Sequence, residues 1–437
     1  MERTYAKDTP KMKGKNAFVQ GWAHDLRNFG GLKFIILKDR TGKVQATLPK
    51  KSVSKELFNS FDEISKESVL YVKGKVQKSE KAQMGVEIIP SEIEIISKAD
   101  APVPLDISGK IESDLSSRLD HRFLDLRNRK SVAIFTIRGK VLKYAVEYFD
   151  SAGFININTP KLTTIGVETG AELFEVKYFD RKAYLAQSPQ VYKQMFVAAG
   201  LERVYEIAPV YRAEKSRTSA HLTEFTGIDF EQGFIRDEHD VMDTVEGLFR
   251  HIFKRLNEEC KEELTILERR LAFPKKIPRV TMKEAKEMLA KEKGFKLGAE
   301  EDLNLETQGA LAEIIKKGWK SEFVFVYRYP FAIRPFYHMK PANEPNISMS
   351  FDLLWNGVEV ATGSQREHRH EVLKRQAKDA GIDLDRDMKE YAEIFKYGCP
   401  PHGGTGLGLD RMVQGLLDIE NIREVILLPR DPDRIAP

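Results

Sequence analysis

The sequence predicts an α+β protein: a small β-barrel followed by a larger domain in which strands and helices alternate. Residues 15–97 contain five short β-rich runs broken by turn signals such as Gly30-Gly31 and Thr41-Gly42. From Lys130 onward apolar residues recur at helical spacing. The length of 437 residues suits two or three domains.

The composition excludes several other protein classes. Lys and Arg number 70 against 66 Asp and Glu, the formal net charge is +4, and hydrophobic residues make up 41%. These values are ordinary for a globular protein with a sizeable core. No apolar run is long enough to span a membrane, and the N-terminus has no apolar signal region. The only cysteines are Cys260 and Cys399, so we expect a reduced, cytoplasmic protein without a disulfide framework.

The first 100 residues are basic, with 19 Lys and Arg against 13 Asp and Glu. A helix predicted near residues 54–66 separates the third and fourth β-rich runs, an order that suits an OB-fold, which binds single-stranded nucleic acid. The excess charge indicates a polyanionic partner, although a solvated lysine-rich face would look the same. We predict an OB-fold domain over residues 1–100, a hinge over 101–130 and a second domain over 131–437, with an insertion at about 265–345.

Three segments of the second domain carry candidate chemistry. In "VYRAEKSRTSAHLTEF", Arg212 and Glu214 alternate on one strand before a cationic loop and Phe225, which suits phosphate binding and base stacking but also an ordinary ion pair. In "GGTGLGLDR", a glycine-rich turn predicted before a helix would bring backbone close to a phosphate, and it is not a Walker motif. In "FDLLWNGVEVATGSQREHRH", the carboxylates Asp352 and Glu359 lie on two apolar strands joined by an Asn-Gly turn, where Mg²⁺ and ATP would explain them.

These segments together resemble the three signature motifs of class II aminoacyl-tRNA synthetases. "YFDSAGFININTP" is similar to motif 1, "YRAE…HLTEF" to motif 2 and "GLGLDR" to motif 3. "FLDLR", "YLAQSPQVYKQM", "QREHRH" and "YGCPPHGGTGLGLDR" resemble aspartyl-tRNA synthetases of the archaeal and eukaryotic type. The resemblance covers essentially the whole chain. It implies an N-terminal OB-fold β-barrel joined to a class II synthetase antiparallel sheet flanked by helices, a homodimer formed through motif 1, and no membrane.

The resemblance implies that aspartate is activated with ATP and transferred to the 3′ end of tRNA. Arg212, Glu359 and Arg411 would be catalytic, and Glu359 and Thr362 would serve Mg²⁺. Phe225 would stack on adenine. The implied ATP-binding residues are Arg212, Glu214, His221, Leu222, Phe225, Glu359, Gly408, Leu409, Asp410 and Arg411. The implied aspartate-binding residues are Glu168, Gln190, Lys193, Arg212, Asp229, Thr362 and Arg366.

Two cations in the implied pocket, Lys193 and Arg366, would grip the aspartate side chain and leave a neutral asparagine amide poorly paired. On the barrel, Arg27, Phe34 and Gln45 match anticodon-recognising positions, although Phe34 could equally belong to the core. His24 and Gln83 replace the Trp and Lys of family members restricted to tRNA(Asp). The sequence therefore predicts that both tRNA(Asp) and tRNA(Asn) are charged, whose anticodons differ only at the third base.

Three alternatives stay open on the sequence alone. A strictly discriminating tRNA(Asp) enzyme would need neighbouring residues to restore selectivity. An inactive paralogue would be an RNA-binding relic, against which the intact Arg212, Glu359 and Arg411 speak. A tRNA-independent amino-acid ligase would have no use for a basic barrel.

Overall fold

The computed structural model describes residues 2–109, 111, 113–164, 173–219 and 221–437. The chain divides into two compact units, Met1–Asn128 and Arg129–Pro437. Nowhere in the described residues is a helix long and apolar enough to cross a membrane.

The first unit is a closed barrel of five strands in the order β1-β2-β3-β5-β4. Its strands are β1 (Asn16–Asn28), β2 (Leu32–Asp39), β3 (Gly42–Pro49), β4 (Val69–Lys78) and β5 (Val86–Ser97). Alternate residues such as Val19, Ile35, Ala46 and Val72 point inward and are at most 1% exposed, because side chains alternate between the two faces of a strand. Helix α1 (Lys55–Ser60) lies between β3 and β4, and the Ser54 hydroxyl accepts from the Leu57 amide at its start. The predicted OB-fold order is therefore confirmed.

The second unit is built on an eight-stranded sheet in the order β12-β13-β14-β15-β16-β11-β10-β6. Its pairings are antiparallel from β13 to β10 and parallel at both edges. The sheet strands are β6 (Ile155–Asn156), β10 (Arg203–Tyr211), β11 (Glu224–Gly233), β12 (Arg279–Thr281), β13 (Phe323–Tyr327), β14 (Ser350–Trp355), β15 (Val358–Arg366) and β16 (His402–Gly408). A separate three-stranded sheet contains β7 (Leu162–Thr163), β8 (Glu175–Tyr178) and β9 (Arg181–Leu185).

Helices flank the large sheet. The two longest, α4 (Arg129–Ser151) and α6 (Glu238–Glu259), pack their apolar stripes into the main core through residues such as Val141, Phe149 and Phe249. The helices of the chain beyond α1 are α2 (Leu115–Asp120), α3 (Arg122–Asp125), α4 (Arg129–Ser151), α5 (Gln190–Phe196), α6 (Glu238–Glu259), α7 (Lys261–Ile266), α8 (Met282–Lys293), α9 (Leu305–Trp319), α10 (His370–Asp379), α11 (Leu384–Asp387), α12 (Lys389–Ile394) and α13 (Leu409–Leu417).

Two details of the second unit differ from the sequence-based expectation. The glycine-rich run Gly403–Gly408 is not a turn: it lies in β16, between β15 and β11. The segment predicted as an insertion supplies α8 and α9, but it also supplies β12 and β13, which belong to the large sheet. The Asn356-Gly357 hairpin forms as predicted, with positive φ at both residues.

Candidate active site

A cavity of about 450 Å³ opens on the large sheet, over strands β10, β11, β15 and β16. Its lining residues extend from Gln187 to Ile422, and the sheet order brings them together by placing β16 between β15 and β11. The predicted site residues that line it are Gln190, Arg212, Glu214, His221, Leu222, Phe225, Asp229, Glu359, Thr362, Arg366, Gly408, Asp410 and Arg411.

Three predicted residues stand apart from this lining. Lys193 lies directly behind Asp229, with its Nζ 2.9 Å from the Asp229 Oδ1. The Leu409 side chain is fully buried in the main core, so only its backbone could face a ligand. Glu168 lies outside the described residues.

One end of the cavity holds two buried cations. Arg366, on β15, is 3% exposed and Lys193, on α5, is 2% exposed. The Arg366 Nη2 also donates to the Gly404 carbonyl at 3.0 Å, and the Lys193 Nζ donates to the Thr405 carbonyl at 3.1 Å. Buried charges of this kind are stable only when paired, and both are held by partners on the neighbouring strands.

Glu231 is the partner that holds both cations, and the sequence analysis did not single it out. It accepts from the Arg366 Nε at 2.9 Å and lies 3.5 Å from the Lys193 Nζ. Burial alone would raise the pKa of Glu231, but the charges of Arg366 and Lys193 lower it below its usual value. The signal was present: Asp229 and Glu231 are two residues apart on the apolar strand β11, so both side chains face the same way.

The glycines of β16 leave room for these carboxylates. A Cβ on Gly404 would lie 2.2 Å from the Glu231 Oε2, and a Cβ on Gly406 would lie 3.2 Å from the Asp229 Oδ1. The glycine-rich run thus permits close approach between strands. Gly408 also lines the cavity, and the approach of this backbone to a phosphate stays a prediction.

Two further residues at this end come from the predicted insertion. His338 lines the cavity and is 2% exposed, and its Nε2 lies 3.4 Å from the Arg366 Nη1. Burial and then the charges of Arg366 and Arg334 hold the pKa of His338 well below its usual value, so the ring is neutral at physiological pH. The Tyr337 ring centre is 5.5 Å from the Arg366 Cζ.

The opposite end of the cavity carries the motif 2 and motif 3 side chains. The Arg212 Cζ lies 5.5 Å from the centre of the Phe225 ring. Arg411, on α13, donates from its Nη1 to the Glu359 carbonyl at 2.9 Å. Burial, followed by the charge of Arg411, lowers the pKa of His221. A flat ring, two guanidinium groups and a neutral imidazole form a surface that suits a nucleoside triphosphate.

The oxygen groups proposed for Mg²⁺ lie together on β15. The Thr362 hydroxyl donates to the Glu359 Oε1 at 3.0 Å. Burial and then the charge of Asp352 raise the pKa of Glu359, which a bound cation would reverse. Asp352 itself is engaged by Arg334 through two hydrogen bonds of 2.6 and 3.2 Å.

This donor set fits Mg²⁺ better than a transition metal. Among the residues the structure describes, no three His, Cys, Asp or Glu side chains are placed to hold a metal. Mg²⁺ commonly takes one or two carboxylates and completes its coordination with water and substrate phosphates. Glu359 and Thr362 are the residues that would hold it.

Asp410 has a structural role. Its Oδ1 accepts from the Arg138 Nη2 of α4 at 2.9 Å, and its Oδ2 accepts from the Thr226 amide at 3.0 Å. The carboxylate therefore connects the start of α13 to α4 and β11, and Asp410 is also among the residues that line the cavity.

The predicted anticodon residues share the outer face of the barrel. Arg27 and Phe34 are directly paired across β1 and β2, and Phe34 is half-buried. The Phe29 ring, which is 70% exposed, lies 6.0 Å from Phe34 and was missed by the sequence analysis. Gln45 donates to the Glu87 Oε2 at 3.1 Å. Exposed rings beside a cation and an amide suit unpaired bases.

The two predicted discrimination residues differ in exposure. Gln83 is exposed in the turn between β4 and β5. The His24 side chain is only 7% exposed, and Lys43 lies over it with its Nζ 2.8 Å from the His24 Nε2. The imidazole therefore offers little surface for packing against a base.

The chain belongs to the class II tRNA synthetases of the D, K and N group, a class of enzymes that use ATP. Residues 114–432 match the family described as "tRNA synthetases class II (D, K and N)". Residues 17–96 match the OB-fold nucleic acid binding domain, which supports tRNA as a partner.

Among relatives, "Aspartate--tRNA(Asp) ligase" of Pyrococcus horikoshii is 45% identical over 98% of both chains. "Aspartate--tRNA(Asp/Asn) ligase" of Methanopyrus kandleri is 46% identical over the same shares. Among solved structures, asparaginyl-tRNA synthetase from Pyrococcus horikoshii complexed with asparaginyl-adenylate matches with a TM-score of 0.93 and 32% identity, covering all of both chains. Aspartyl-tRNA synthetase from Entamoeba histolytica matches with a TM-score of 0.89 and 32% identity, covering 100% of this chain and 93% of that one.

Proposed function

We propose that the chain is an aspartate–tRNA ligase that charges both tRNA(Asp) and tRNA(Asn). In the first step the aspartate α-carboxylate attacks the α-phosphorus of ATP; a C–O–P linkage forms, the bond to the β-phosphate oxygen breaks, and pyrophosphate leaves. In the second step a ribose hydroxyl of the terminal tRNA adenosine attacks the activated carbonyl, loses its proton, and AMP leaves.

The observation that carries this proposal is that two buried cations, Lys193 and Arg366, lie at one end of the cavity. Lys193 and Arg366 contribute two positive charges against the two negative charges of Glu231 and Asp229, and the Lys193 Nζ lies 2.9 Å from the Asp229 Oδ1. When the ammonium group of aspartate pairs with Asp229, which lines the cavity, one of the two cations is left to pair with the aspartate side-chain carboxylate. Gln190 and Thr362 also line the cavity and complete the polar contacts we assign to the amino acid.

Charge balance also argues against asparagine, which the structurally similar asparaginyl-tRNA synthetase takes. A neutral amide in place of the carboxylate would leave the buried cationic end with an uncompensated charge. Losing a charged partner from a buried pair costs several kcal/mol, on the order of 3–5.

At the end of the cavity that carries the motif 2 and motif 3 side chains, Arg212 would contact the α-phosphate, where charge develops as the carboxylate attacks. Phe225 would stack on adenine, and Glu214, His221, Leu222 and the backbone from Gly408 to Arg411 would surround the nucleotide. Mg²⁺, held by Glu359 and Thr362, would neutralise phosphate charge when bound. Arg411 would lie near the γ-phosphate, and these residues complete the machinery that an inactive paralogue would not need.

For tRNA, we assign anticodon recognition to Arg27, Phe34 and Gln45, and acceptance of both anticodons to His24 and Gln83. The division into an anticodon-binding barrel (1–100), a hinge (101–130) and a catalytic domain (131–437) is part of this proposal. We place the protein in the cytoplasm, because tRNA charging supplies the ribosome.

We also propose a homodimer that uses motif 1. A surface groove of about 460 Å³ follows α4 and β6, lined mainly by apolar atoms of Leu142, Val146 and Ile207. Ile155, on the two-residue edge strand β6, is 46% exposed. An apolar groove beside an unpaired sheet edge is a surface that a second copy would cover.

Aspartate-dependent exchange of pyrophosphate into ATP tests the proposal most directly. We expect exchange with aspartate and none with asparagine or lysine, measured on active-site-titrated protein without tRNA. Exchange with asparagine instead would assign the chain to the other branch of the family, and no exchange with any of the three would contradict the proposal.

A further inference from the structure

A line of polar contacts crosses one corner of the barrel. Lys43 on β3 lies over His24 on β1, and behind His24 lie Glu67 and Arg127. The distances are 2.8 Å from the Lys43 Nζ to the His24 Nε2, 3.4 Å from the His24 Nδ1 to the Glu67 Oε1, and 2.8 Å from the Arg127 Nη1 to the Glu67 Oε2. The first of these is a hydrogen bond, and the second is an electrostatic contact.

The backbone is arranged to make this line possible. The β1–β2 register passes from Ala23 to Asp25, so His24 is the extra residue of a β-bulge. Bulges re-aim a side chain out of the regular alternation. Glu67 sits at a φ of +67°, and its amide donates to the Ala23 carbonyl at 2.8 Å, beside the bulge. Its carboxylate is thereby carried under the imidazole.

The direction of each hydrogen bond is fixed by chemistry. An ammonium group only donates, so the His24 Nε2 must accept and its proton must be on the Nδ1, facing Glu67. Burial alone would raise the pKa of Glu67, but its contacts with His24 and Arg127 lower it. Glu67 is therefore charged at neutral pH and favours that tautomer.

We propose that Lys43 is a tRNA-contacting residue at this corner and that His24 and Glu67 are positioning residues that hold its ammonium group in place. Lys43 lies two residues before Gln45 on β3, so both side chains point to the same face of the strand. Its neighbour across the β2–β3 pair, Lys38, adds positive charge to that face. The partner is an oxygen acceptor of the anticodon loop, and the inference rests on the proposed function.

This arrangement changes the route by which His24 acts. His24 was predicted to affect tRNA discrimination, but its side chain is 7% exposed and its Nε2 is covered by the Lys43 Nζ at 2.8 Å, so it acts through Lys43. A keto oxygen is present on every pyrimidine, and a fixed ammonium donor would accept cytosine and uracil alike. Acceptance of either pyrimidine at one anticodon position then follows from the ammonium group of Lys43, which His24 holds in place.

The test measures aminoacylation of tRNA(Asp) and tRNA(Asn) transcripts by Lys43→Gln, His24→Leu and the double variant of the full chain. His24→Gln keeps a hydrogen-bond acceptor and serves as the conservative variant, and Lys75→Gln, an exposed lysine on β4, is the matched control. Because one charge-assisted hydrogen bond is lost, we expect kcat/KM to fall about tenfold in Lys43→Gln and in His24→Leu. The double variant should be no worse than Lys43→Gln, with partial recovery in His24→Gln.

The salt dependence of tRNA binding shows whether Lys43 contacts a phosphate oxygen or a base oxygen. If Lys43 contacts a phosphate, the magnitude of the slope of log K against log salt should be about 0.7 smaller in Lys43→Gln. If Lys43 contacts a base, the slope should be unchanged, and the loss of affinity should depend on which base occupies the anticodon position. A wild-type rate in Lys43→Gln, or free-energy losses that simply add in the double variant, would overturn the proposal. Aspartate-dependent pyrophosphate exchange needs no tRNA and should be unchanged in all variants; its absence in the wild-type chain would instead count against the proposed function.

Discussion

The Arg366 guanidinium and the Glu231 carboxylate face each other side by side, with Nε–Oε1 at 2.9 Å and Nη2–Oε2 at 3.3 Å. Neither residue is more than 3% exposed. Two parallel hydrogen bonds fix the plane of the guanidinium, and the remaining donors of Arg366 are thereby given a defined direction.

Glu231→Gln should destabilise the fold at neutral pH by about 3 kcal/mol, because it leaves two buried cations short of an anion. The pKa of Glu231 is lower in the folded chain than its usual 4.5. The charge therefore stabilises the fold fully above pH 4.5, and this contribution is lost as the pH falls through the folded-state pKa. Urea unfolding of the variant and the wild type at pH 7 and at acid pH measures the difference. Glu258→Gln, an exposed change on α6, is the control, and an equal difference at both pH values would contradict the argument.

Lys193→Ala should lower aspartate activation by about 2–5 kcal/mol in kcat/KM, because the aspartate carboxylate loses one of two cationic partners. Pyrophosphate exchange against aspartate concentration measures it. Lys182→Ala, an exposed lysine paired with Glu175 on β8, is the control. A wild-type exchange rate in Lys193→Ala would show that Lys193 does not bind the aspartate side chain.

Arg212→Ala should lower the exchange rate by about 10²–10³, because a donor aimed at the developing phosphate charge is lost. Its Nε has no hydrogen-bond partner among the described atoms, so unfolding should change little. Arg236→Ala, whose side chain is 84% exposed, is the control. A large loss of stability with a small loss of rate would show that Arg212 serves the fold instead.

Val146→Glu should convert a dimer to a monomer, because it places a charge in the apolar groove beside α4. Light scattering coupled to size exclusion measures the mass. Lys254→Glu, on the exposed face of α6, should leave the mass unchanged. If Val146→Glu has the wild-type mass, the interface lies elsewhere.

Gln83→Lys should lower charging of tRNA(Asn) relative to tRNA(Asp), because a lysine offers only donors where glutamine offers both a donor and an acceptor. The ratio of kcat/KM for the two transcripts measures it, with comparable values expected for the wild type. Ser97→Lys, an exposed change at the end of β5, is the control. A strong preference of the wild-type chain for tRNA(Asp) would instead support a discriminating enzyme.

The sequence was most informative where local signals and function coincide. The long apolar periodicity of α4, the Asn356-Gly357 hairpin and the motif side chains Arg212 and Arg411 were all predicted, because each depends on neighbouring residues or on a motif. Glu231 and His338 were not predicted. The alternation of Asp229 and Glu231 on β11 marks Glu231 as a charged residue on an apolar strand, but its pairing with Arg366, 135 residues away, leaves no local pattern. The role of His338 likewise depends on which loop lies next to β15.

Long-range neighbours also determine the surroundings of His24 and of the glycine-rich run. A bulge cannot be distinguished from an ordinary strand position by residue type, so the burial of His24 under Lys43 was not foreseen. Likewise, "GGTGLG" indicated close backbone approach, but the residue types did not show that carboxylates on the adjacent strand are among the approaching groups.

The bare backbone of β16 also limits how this pocket could be redesigned. A side chain at Gly404 would collide with the Phe230 carbonyl and with Glu231. Library positions for altering amino-acid preference are therefore best chosen on β11, β15 and the segment around His338, where side chains already exist to be exchanged. The glycines Gly403 and Gly404 of strand β16 are poor positions for substitution, because an added Cβ would come too close to neighbouring atoms.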